Sequence, residues 1–383
     1  MNENLTIVLL LKDQANFTWR WFKYQNENSL PFKVLVADGG KDESVEQILK
    51  DKSKYPNVNY EYTRYPYDKD IATFFKKVLD AVSRVKTEYV VMASNDDFYV
   101  AGALKRAVEF LNKNKDYVVS RGDVYDFRVR QQDKKGGEED VYGKMVNVIN
   151  LYTNASNTGA TALERVRTFS EFSNSLWHDI TRTDKLKESY RLLVDSGIVD
   201  LDLSDRLINY YLSAEGKIHR GKGLYMLHQS HRAGLGHVLA RRDTFEWMLT
   251  ESWPRDASKI FDITAKEISE IDGTPEESAR NKVMQYYLCF IIGQKMIRDK
   301  MENKIKNGPE LLVRMGHFLS KENEVRVFLK NIYVYLKERW QENKNAKFID
   351  SSPYRNDIEK VRDFLIKNAP SRTESGQGIE TKQ

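Results

Sequence analysis

The stretch TEYVVMASNDDFYVAGALKRAVEFL, residues 87–111, joins a short apolar run, a group of amide and acid side chains, and a helical pattern. The run YVVMA, residues 89–93, has the length and composition of a buried strand, and a helix is predicted to start near Gly102. The Asn-Asp-Asp group, residues 95–97, lies between them and ends too early to cap that helix. The sequence therefore predicts another role for these polar side chains.

The same order of strand and helix repeats through the first 121 residues. Strand-like runs cover residues 5–11, 33–37, 58–63, 89–93 and 117–120, and helical patterns lie around residues 19–25, 44–50, 71–82 and 103–112. This alternation indicates βαβ units, and therefore an α/β fold with a mostly parallel sheet and helices on both faces. Ligands of such sheets bind beyond the carboxyl ends of the strands. Asp38 and the group 95–97 are thus expected at one crevice.

Adjacent carboxylates at a strand end repel each other unless a cation lies beside them. A hard divalent cation takes oxygen ligands and commonly binds together with substrate phosphates. Asp96 is therefore predicted to hold a divalent cation, Mn²⁺ or Mg²⁺, with help from Asn95 or Asp97. Asp38 has a simpler alternative, because Asp-Gly-Gly is also good turn chemistry. Neither a GxxxxGK[ST] sequence nor a GxGxxG after the first strand occurs, so the chain does not have the features of a P-loop NTPase or a Rossmann dehydrogenase.

The acidic segments resemble those of the GT-A-fold inverting glycosyltransferases of family 2. VADGGKDES, residues 36–44, is similar to the family's nucleoside-binding turn, with Asp38 at its second acidic position. ASNDDF is similar to the DxD signature that ends the fourth strand, with Ser94 at the first acid, Asp96 at the second and Asp97 at the acid that often follows. The resemblance extends over about three fifths of the chain and implies a GT-A fold.

A third segment resembles the family in the expected order. VDLDLSDRLINYYLSAEGKIH, residues 199–219, is similar to the acidic helix start that carries the catalytic base, with Asp200 at the position of that base. Asp195 and Asp202 remain alternatives for this role. Further on, His228 falls where many such enzymes supply a histidine to the metal.

The resemblance also assigns residues to the donor site, whereas residues of the acceptor site are assigned by their position in the chain alone. The expected donor-binding residues are Asp38, Arg64, Lys69, Asn95 and Asp96, and the expected metal ligands are Asp96, Asp97 and His228. Arg64 and Lys69 are included because Phe74 and Phe75 occupy the positions where the family commonly has an Arg-Asn pair. Trp177, His178 and His231 are expected to line the acceptor site.

The implied activity is the metal-dependent, inverting transfer of one sugar from a nucleotide sugar, UDP-linked, to a hydroxyl group. Saccharide, lipid-linked or other hydroxyl acceptors fit this chemistry, as do roles in cell-surface glycan or glycoconjugate synthesis. The QxxRW motif of processive synthases is missing, so a non-processive, hexosyltransferase-like enzyme is expected. Two alternatives remain: a non-catalytic nucleotide-sugar or protein-binding module on the same fold, and a basic binder associated with membranes or nucleic acid. No nucleic-acid partner is expected for the enzyme.

Composition suggests a folded protein of more than one part. With 383 residues, the chain is expected to contain a GT-A domain at residues 1–238, a helical extension at 239–350 and a partly disordered polar tail at 351–383. Residues 281–350 hold 14 basic against 8 acidic residues, so the extension can contribute to oligomers or to peripheral membrane association.

Cysteine usage and hydropathy bear on location. The single cysteine, Cys289, excludes an intramolecular disulfide and fits a reducing compartment. The longest apolar run, residues 286–292, is far shorter than the ~20 residues of a spanning helix. A cytoplasmic protein, at most at the inner face of the membrane, is therefore expected.

Overall fold

The computed structural model describes residues 4–130, 141–152, 155–172, 175–230, 244–306, 347 and 349–369. The strands are β1 Leu5–Leu11, β2 Lys33–Asp38, β3 Tyr60–Arg64, β4 Tyr89–Ser94, β5 Phe98–Tyr99, β6 Tyr117–Arg130, β7 Met145–Tyr152, β8 Ile180–Arg182 and β9 Lys217–Gln229. The α-helices in these ranges are α1 Ala15–Glu27, α2 Glu43–Lys50, α3 Ile71–Ser83, α4 Ala101–Lys113, α5 Ala162–Phe172, α6 Thr183–Ser196, α7 Leu201–Glu215, α8 Thr244–Met248, α9 Ser252–Asp272, α10 Glu276–Lys306 and α11 Arg355–Lys367.

All nine strands belong to one mixed sheet. Its order is β3-β2-β1-β4-β8-β6-β9-β5, with β7 added to β6. Strands β1 to β4 pair in parallel, β8 runs antiparallel to β4 and β6, and β6 and β9 are parallel. The four βα units at the N-terminus confirm the predicted α/β class and its mostly parallel sheet.

Helices cover both faces of this sheet. One face packs against α1, α2 and α4 through a core that includes Trp21, Phe22 and Leu104. The other face packs against α3, α5, α6 and α7 through a core that includes Val78 and Leu207. Strands β1, β2 and β4 are therefore buried on both sides, which explains their continuous apolar runs in the sequence.

The described part of the helical extension shares the second of these cores. Ile260 and Phe261 of α9, and Val283 and Tyr287 of α10, are buried in the same cluster as Leu207 of α7. The predicted change to helical structure after the sheet is confirmed for residues 244–306. No helix among the described residues is long and apolar enough to span a membrane.

Helix α11 was not predicted from the sequence. Its side chains Ile358, Val361 and Leu365 are buried against the sheet beside Phe127 of β6. Phe364 packs edge-on against Phe98, which directly follows the acidic turn. The final described segment thus supports the part of the sheet that carries the candidate site.

Candidate functional site

The ends of three parallel strands place the predicted acidic segments at one edge of the sheet. Leu11 of β1 is paired with Asp38 of β2, and Asp38 with Arg64 of β3. On the other side of β1, Leu10 is paired with Ser94, the last residue of β4. The loops that follow β1, β2 and β4 therefore begin side by side.

Asp38 is buried at this edge and its carboxylate is held by three donors. Its Oδ1 accepts from the Gly40 amide at 2.8 Å, and its Oδ2 accepts from the Tyr62 hydroxyl and the Arg64 guanidinium, each at 2.7 Å. Arg64 remains partly exposed. Two of the predicted donor-binding residues, Asp38 and Arg64, thus form one ion pair at the mouth of the site.

A buried lysine and aspartate lie beneath the Asp38 turn. Lys77 of α3 donates to Asp68 and, at 2.9 Å, to the Leu11 carbonyl oxygen. Burial raises the pKa of Asp68 and lowers that of Lys77, against the attraction between them. A Cβ at Gly39 would lie 2.5 Å from the Asp68 carboxylate, so any other residue there would have to displace the buried Asp68 side chain. Asp68 and Lys77 could not be recognised from the sequence, because their importance depends on contacts between separate elements.

The loop after β1 has an unusual backbone beside this turn. Asp13 and Gln14 both adopt left-handed conformations, with φ of 57° and 54°. Asp13 Oδ1 accepts from the Lys41 amide at 2.8 Å, which ties the loop to the β2 turn. Non-glycine residues rarely adopt such angles outside turns and functional sites, and the surrounding structure must hold them in place.

The three polar residues after β4 have different surroundings. Asn95 is buried and donates to Thr18 Oγ1 at 3.0 Å, so its amide faces the start of α1. The Asp96 carbonyl oxygen accepts from Arg20 at 2.7 Å. Asp97 is fully buried, and its side chain points towards two histidines from other segments.

Asp97, His178 and His228 form a compact cluster. His228 Nδ1 lies 2.7 Å from Asp97 Oδ1, and His178 Nε2 lies 3.7 Å from Asp97 Oδ2. Tyr99 orients His178 through a 3.1 Å hydrogen bond to its Nδ1. The ligand atoms of the three residues all lie within 4.8 Å of one another. The structure thus brings His178, predicted for the acceptor site, to the predicted metal residues Asp97 and His228.

The ionisation states of the cluster follow from burial and mutual attraction. Asp97 raises the pKa of His228 to about 10. Burial opposes ionisation of Asp97, but the charge and hydrogen bond of His228 outweigh it and lower the pKa of the carboxyl. Burial lowers the pKa of His178. The metal-free cluster therefore contains an ionised Asp97, a protonated His228 and a neutral His178.

This donor set fits a divalent cation. Asp97 Oδ2 is buried and, among the described residues, accepts no hydrogen bond, so it is available to a ligand. One carboxylate with two imidazoles suits Mn²⁺ and other transition metals better than Mg²⁺, which prefers oxygen ligands. The Asp96 carboxylate lies outside this three-residue group.

A buried arginine stands behind the acidic turn. Arg20 of α1 has no exposed surface, and burial lowers its pKa to about 10. Arg20 donates to the Asp96 carbonyl oxygen and to Oε1 of Gln229, the residue that follows His228 in the chain. Arg20 is a cation beside the two carboxylates that the sequence analysis did not anticipate.

The predicted catalytic base lies at the start of α7. Asp200 caps this helix, since its Oδ1 accepts from the Leu203 amide at 3.1 Å. Its Oδ2 accepts from Trp247 Nε1 of α8 at 2.9 Å. Of the alternatives, Asp195 pairs with Arg191 at the surface, and Asp202 is exposed in the first turn of α7.

The remaining predicted residues lie in several environments. Lys69 is exposed in the loop between β3 and α3. Trp177 is half-buried and stacks on Phe74 with ring centroids 6.0 Å apart, and the Phe74 ring lies 5.2 Å from Lys77 Nζ. An aromatic pair therefore connects the region of the Asp38 turn to His178. His231 lies outside the described residues.

The fold and the site together define an α/β protein with a charged crevice and a candidate divalent-metal cluster at the carboxyl edge of its sheet. Residues 17–172 match the family model of glycosyl transferase family 2. The predicted resemblance is thereby confirmed over that segment, which carries Asp38 and Asp97. No curated protein sequence matches the chain.

Solved structures that align with this chain include S. aureus TarS and a synthetase. TarS residues 1–349 in complex with UDP-GlcNAc align with a TM-score of 0.45 at 15% identity, covering 98% of this chain and 93% of that one. A longer TarS chain aligns with a TM-score of 0.44 at 15% identity over 74% of this chain, which spans only 43% of its length. CMP:2-keto-3-deoxy-manno-octonic acid synthetase with CTP aligns with a TM-score of 0.34 at 10% identity, covering 62% of this chain and 95% of that one.

Proposed function

We propose that the protein is a metal-dependent, inverting and non-processive glycosyltransferase that takes one sugar from a nucleotide sugar, UDP-linked. The observation that carries this proposal is the adjacency of two sites at one sheet edge. The first is the Asp38 and Arg64 pair, and the second is the Asp97, His178 and His228 cluster. A nucleoside diphosphate needs a site for its nucleoside and a cationic site for its phosphates, and the two sites at this edge have the chemistry that these roles require.

Asp38 is the proposed nucleoside contact. Its carboxylate is fixed by Gly40, Tyr62 and Arg64, so it is preorganised to accept a hydrogen bond from a base or ribose donor. Gly39 and Gly40 keep the turn free of side chains, which allows a ligand to approach the backbone. Arg64 provides a partly exposed positive charge for a phosphate.

Asp97, His178 and His228 are the proposed metal ligands. When bound there, a divalent cation supplies Lewis-acid stabilisation of the charge that develops on the departing nucleoside diphosphate. Asp97 and His178 are held in place by neighbouring groups: the Gln229 amide donates to Asp97, and Tyr99 orients His178. Such supporting contacts fix the direction of the ligand atoms.

Asp200 is the proposed general base. An acceptor hydroxyl that attacks the anomeric carbon must lose its proton, and an Asp200 carboxylate oxygen can accept it. Attack on the face opposite the leaving group inverts the anomeric centre. Trp247 and the α7 amide restrict the carboxylate, so it is oriented rather than freely rotating. Trp177, stacked on Phe74, is the proposed aromatic surface for the acceptor.

A thermal-shift screen of nucleotides and nucleotide sugars, with and without Mn²⁺, tests the donor assignment. A ligand at 100 times its dissociation constant stabilises the folded protein by about 2.7 kcal/mol. Slow hydrolysis of the responding donor, detected as released nucleoside diphosphate, separates the enzyme from a non-catalytic binding module. NMR of the anomeric proton in the transfer product tests inversion. Binding without any release would favour the binding module.

A further inference from the structure

Arg20 connects the two segments that carry the candidate metal ligands. Its Nη2 donates to the carbonyl oxygen of Asp96, the residue before Asp97, at 2.7 Å. Its Nη1 donates to the side chain of Gln229, the residue after His228, and to the Val141 carbonyl oxygen at 2.9 Å. The acidic turn follows β4, whereas Gln229 ends β9, so one guanidinium joins distant parts of the chain.

The guanidinium itself is held tightly. Its carbon lies 4.7 Å from the ring centroid of Phe17 and 4.8 Å from that of Phe98. Phe364 of α11, which is distant in the sequence, packs against Phe98 with ring centroids 6.3 Å apart. Full burial and these ring contacts leave the side chain little freedom to change its hydrogen-bond partners.

The charge of Arg20 is attracted to Asp96 and Asp97, but this attraction alone does not explain why a guanidinium is buried and fixed at this position. Burying a guanidinium is costly unless its donors are satisfied. A positive charge close to Asp97 also repels any cation that binds there. The directional hydrogen bonds to Asp96 and Gln229 explain the position of Arg20 better, because one planar guanidinium can hold two segments of the chain at once.

We propose that Arg20 is a positioning residue that sets the separation of Asp97 and His228 and thereby the affinity for the metal; this rests on the metal site of the proposed function. In the part of the chain that the structure describes, the side-chain hydrogen bonds of Arg20 go to Val141, Gln229 and the Asp96 carbonyl oxygen, and none goes to the side chain of Asp97, His178 or His228. It acts through the backbone of the acidic turn and through the side chain of Gln229, whose backbone N–H donates to Asp97 Oδ1 at 3.2 Å.

Arg20→Lys separates geometry from charge, because lysine keeps the positive charge but donates from a single nitrogen. Mn²⁺ affinity is measured from the free-ion EPR signal, without nucleotide or acceptor. We expect the dissociation constant of Arg20→Lys to rise about 10- to 100-fold, the usual effect of losing a group that orients a metal ligand. Arg20→Met, which also removes the repelling charge, is expected to recover part of that loss.

Arg165→Lys is the matched control. Arg165 is another buried arginine, and it binds the Ser213, Ala214 and Gly159 carbonyl oxygens around the end of α7. This variant should lower the melting temperature by loss of similar bonds while leaving Mn²⁺ affinity unchanged. Gln229→Met serves as the second variant if Arg20→Lys does not fold, and the same 10- to 100-fold loss is expected for it.

Each outcome decides between geometry and charge. If Arg20→Lys binds Mn²⁺ like the wild type, and Arg20→Met binds more tightly, Arg20 is only a counter-charge and the positioning proposal fails. If the folded wild type binds no Mn²⁺, the metal site of the proposed function fails, and the role of Arg20 fails with it. A loss in both Arg20→Lys and Arg165→Lys would assign the effect to general destabilisation and overturn the proposal.

Discussion

Metal binding to the cluster of Asp97, His178 and His228 is predicted to release one proton. In the metal-free protein, Asp97 raises the pKa of His228 to about 10, so its imidazole is protonated at neutral pH. A histidine ligand must be neutral, and the bound ion therefore replaces this proton. His178 releases no proton because burial lowers its pKa and keeps the imidazole neutral. Asp97 releases none because its carboxyl is already ionised.

The magnitude follows from proton linkage. Release of one proton makes the apparent affinity rise about tenfold for each pH unit, or about 1.4 kcal/mol. Between about pH 6.5 and 8.5 the gain should be about 100-fold, because the raised pKa of His228 lies above this window. The same raised pKa stabilises the metal-free fold fully below the unfolded value of about 6.5, and this stabilisation is lost as pH rises through about 10.

Calorimetric titration of Mn²⁺ in buffers with different ionisation enthalpies measures the number of protons released. His228→Gln should bind Mn²⁺ more weakly and release no proton. His178→Gln should also bind more weakly but still release one, because it leaves the Asp97 and His228 pair intact. Affinity that does not change with pH, or release of no proton by the wild type, would show that His228 is not a protonated ligand displaced by the metal.

Three further predictions concern the other parts of the site. Asp38→Asn should weaken UDP binding about 10- to 100-fold by loss of charged hydrogen bonds while leaving Mn²⁺ affinity unchanged in a calorimetric titration. Asp200→Asn should lower the turnover number by about 10² to 10⁴ with donor affinity unchanged, whereas Asp202→Asn, at an exposed position in the same turn, should be silent in the transfer assay. Lys77→Met should destabilise the fold by about 3 to 5 kcal/mol in urea denaturation, because Asp68 is left buried and unpaired, and Asp68→Asn in the same chain should restore part of this; a change below about 1 kcal/mol would contradict the buried ion pair.

The strand ends of the site could be predicted from the sequence. Short apolar runs that alternate with helical patterns identified β1, β2 and β4. Because these strands pair in parallel, Asp38 and Asp97 must lie at the same edge of the sheet. The order of acidic segments along the chain was enough to indicate the family, because each segment is a short local motif that can be read from one sequence. Both inferences depend on short-range patterns and one general rule of α/β sheets.

The partners of those acids could not be predicted in the same way. Arg20 looks like an ordinary helical arginine until α1 is packed on the sheet, where burial and the bond to Asp96 give it a role. His178 was assigned to the acceptor site by position alone, because nothing local indicates that β8 carries it to Asp97. Helix α11 has a short apolar stripe in a polar context, and its docking site on Phe98 exists only in the folded sheet.

Calorimetric titration of UDP into the wild-type protein, with Mn²⁺ and again after its removal by a chelator, tests the central claim most directly. The proposed nucleoside contact is Asp38, and the proposed cation for the phosphates lies at Asp97, His178 and His228. We expect saturable binding of UDP with one site per chain, and at least about tenfold weaker binding without the metal. No binding of UDP with Mn²⁺, or equal affinity in its absence, would contradict a metal-dependent nucleotide-sugar site.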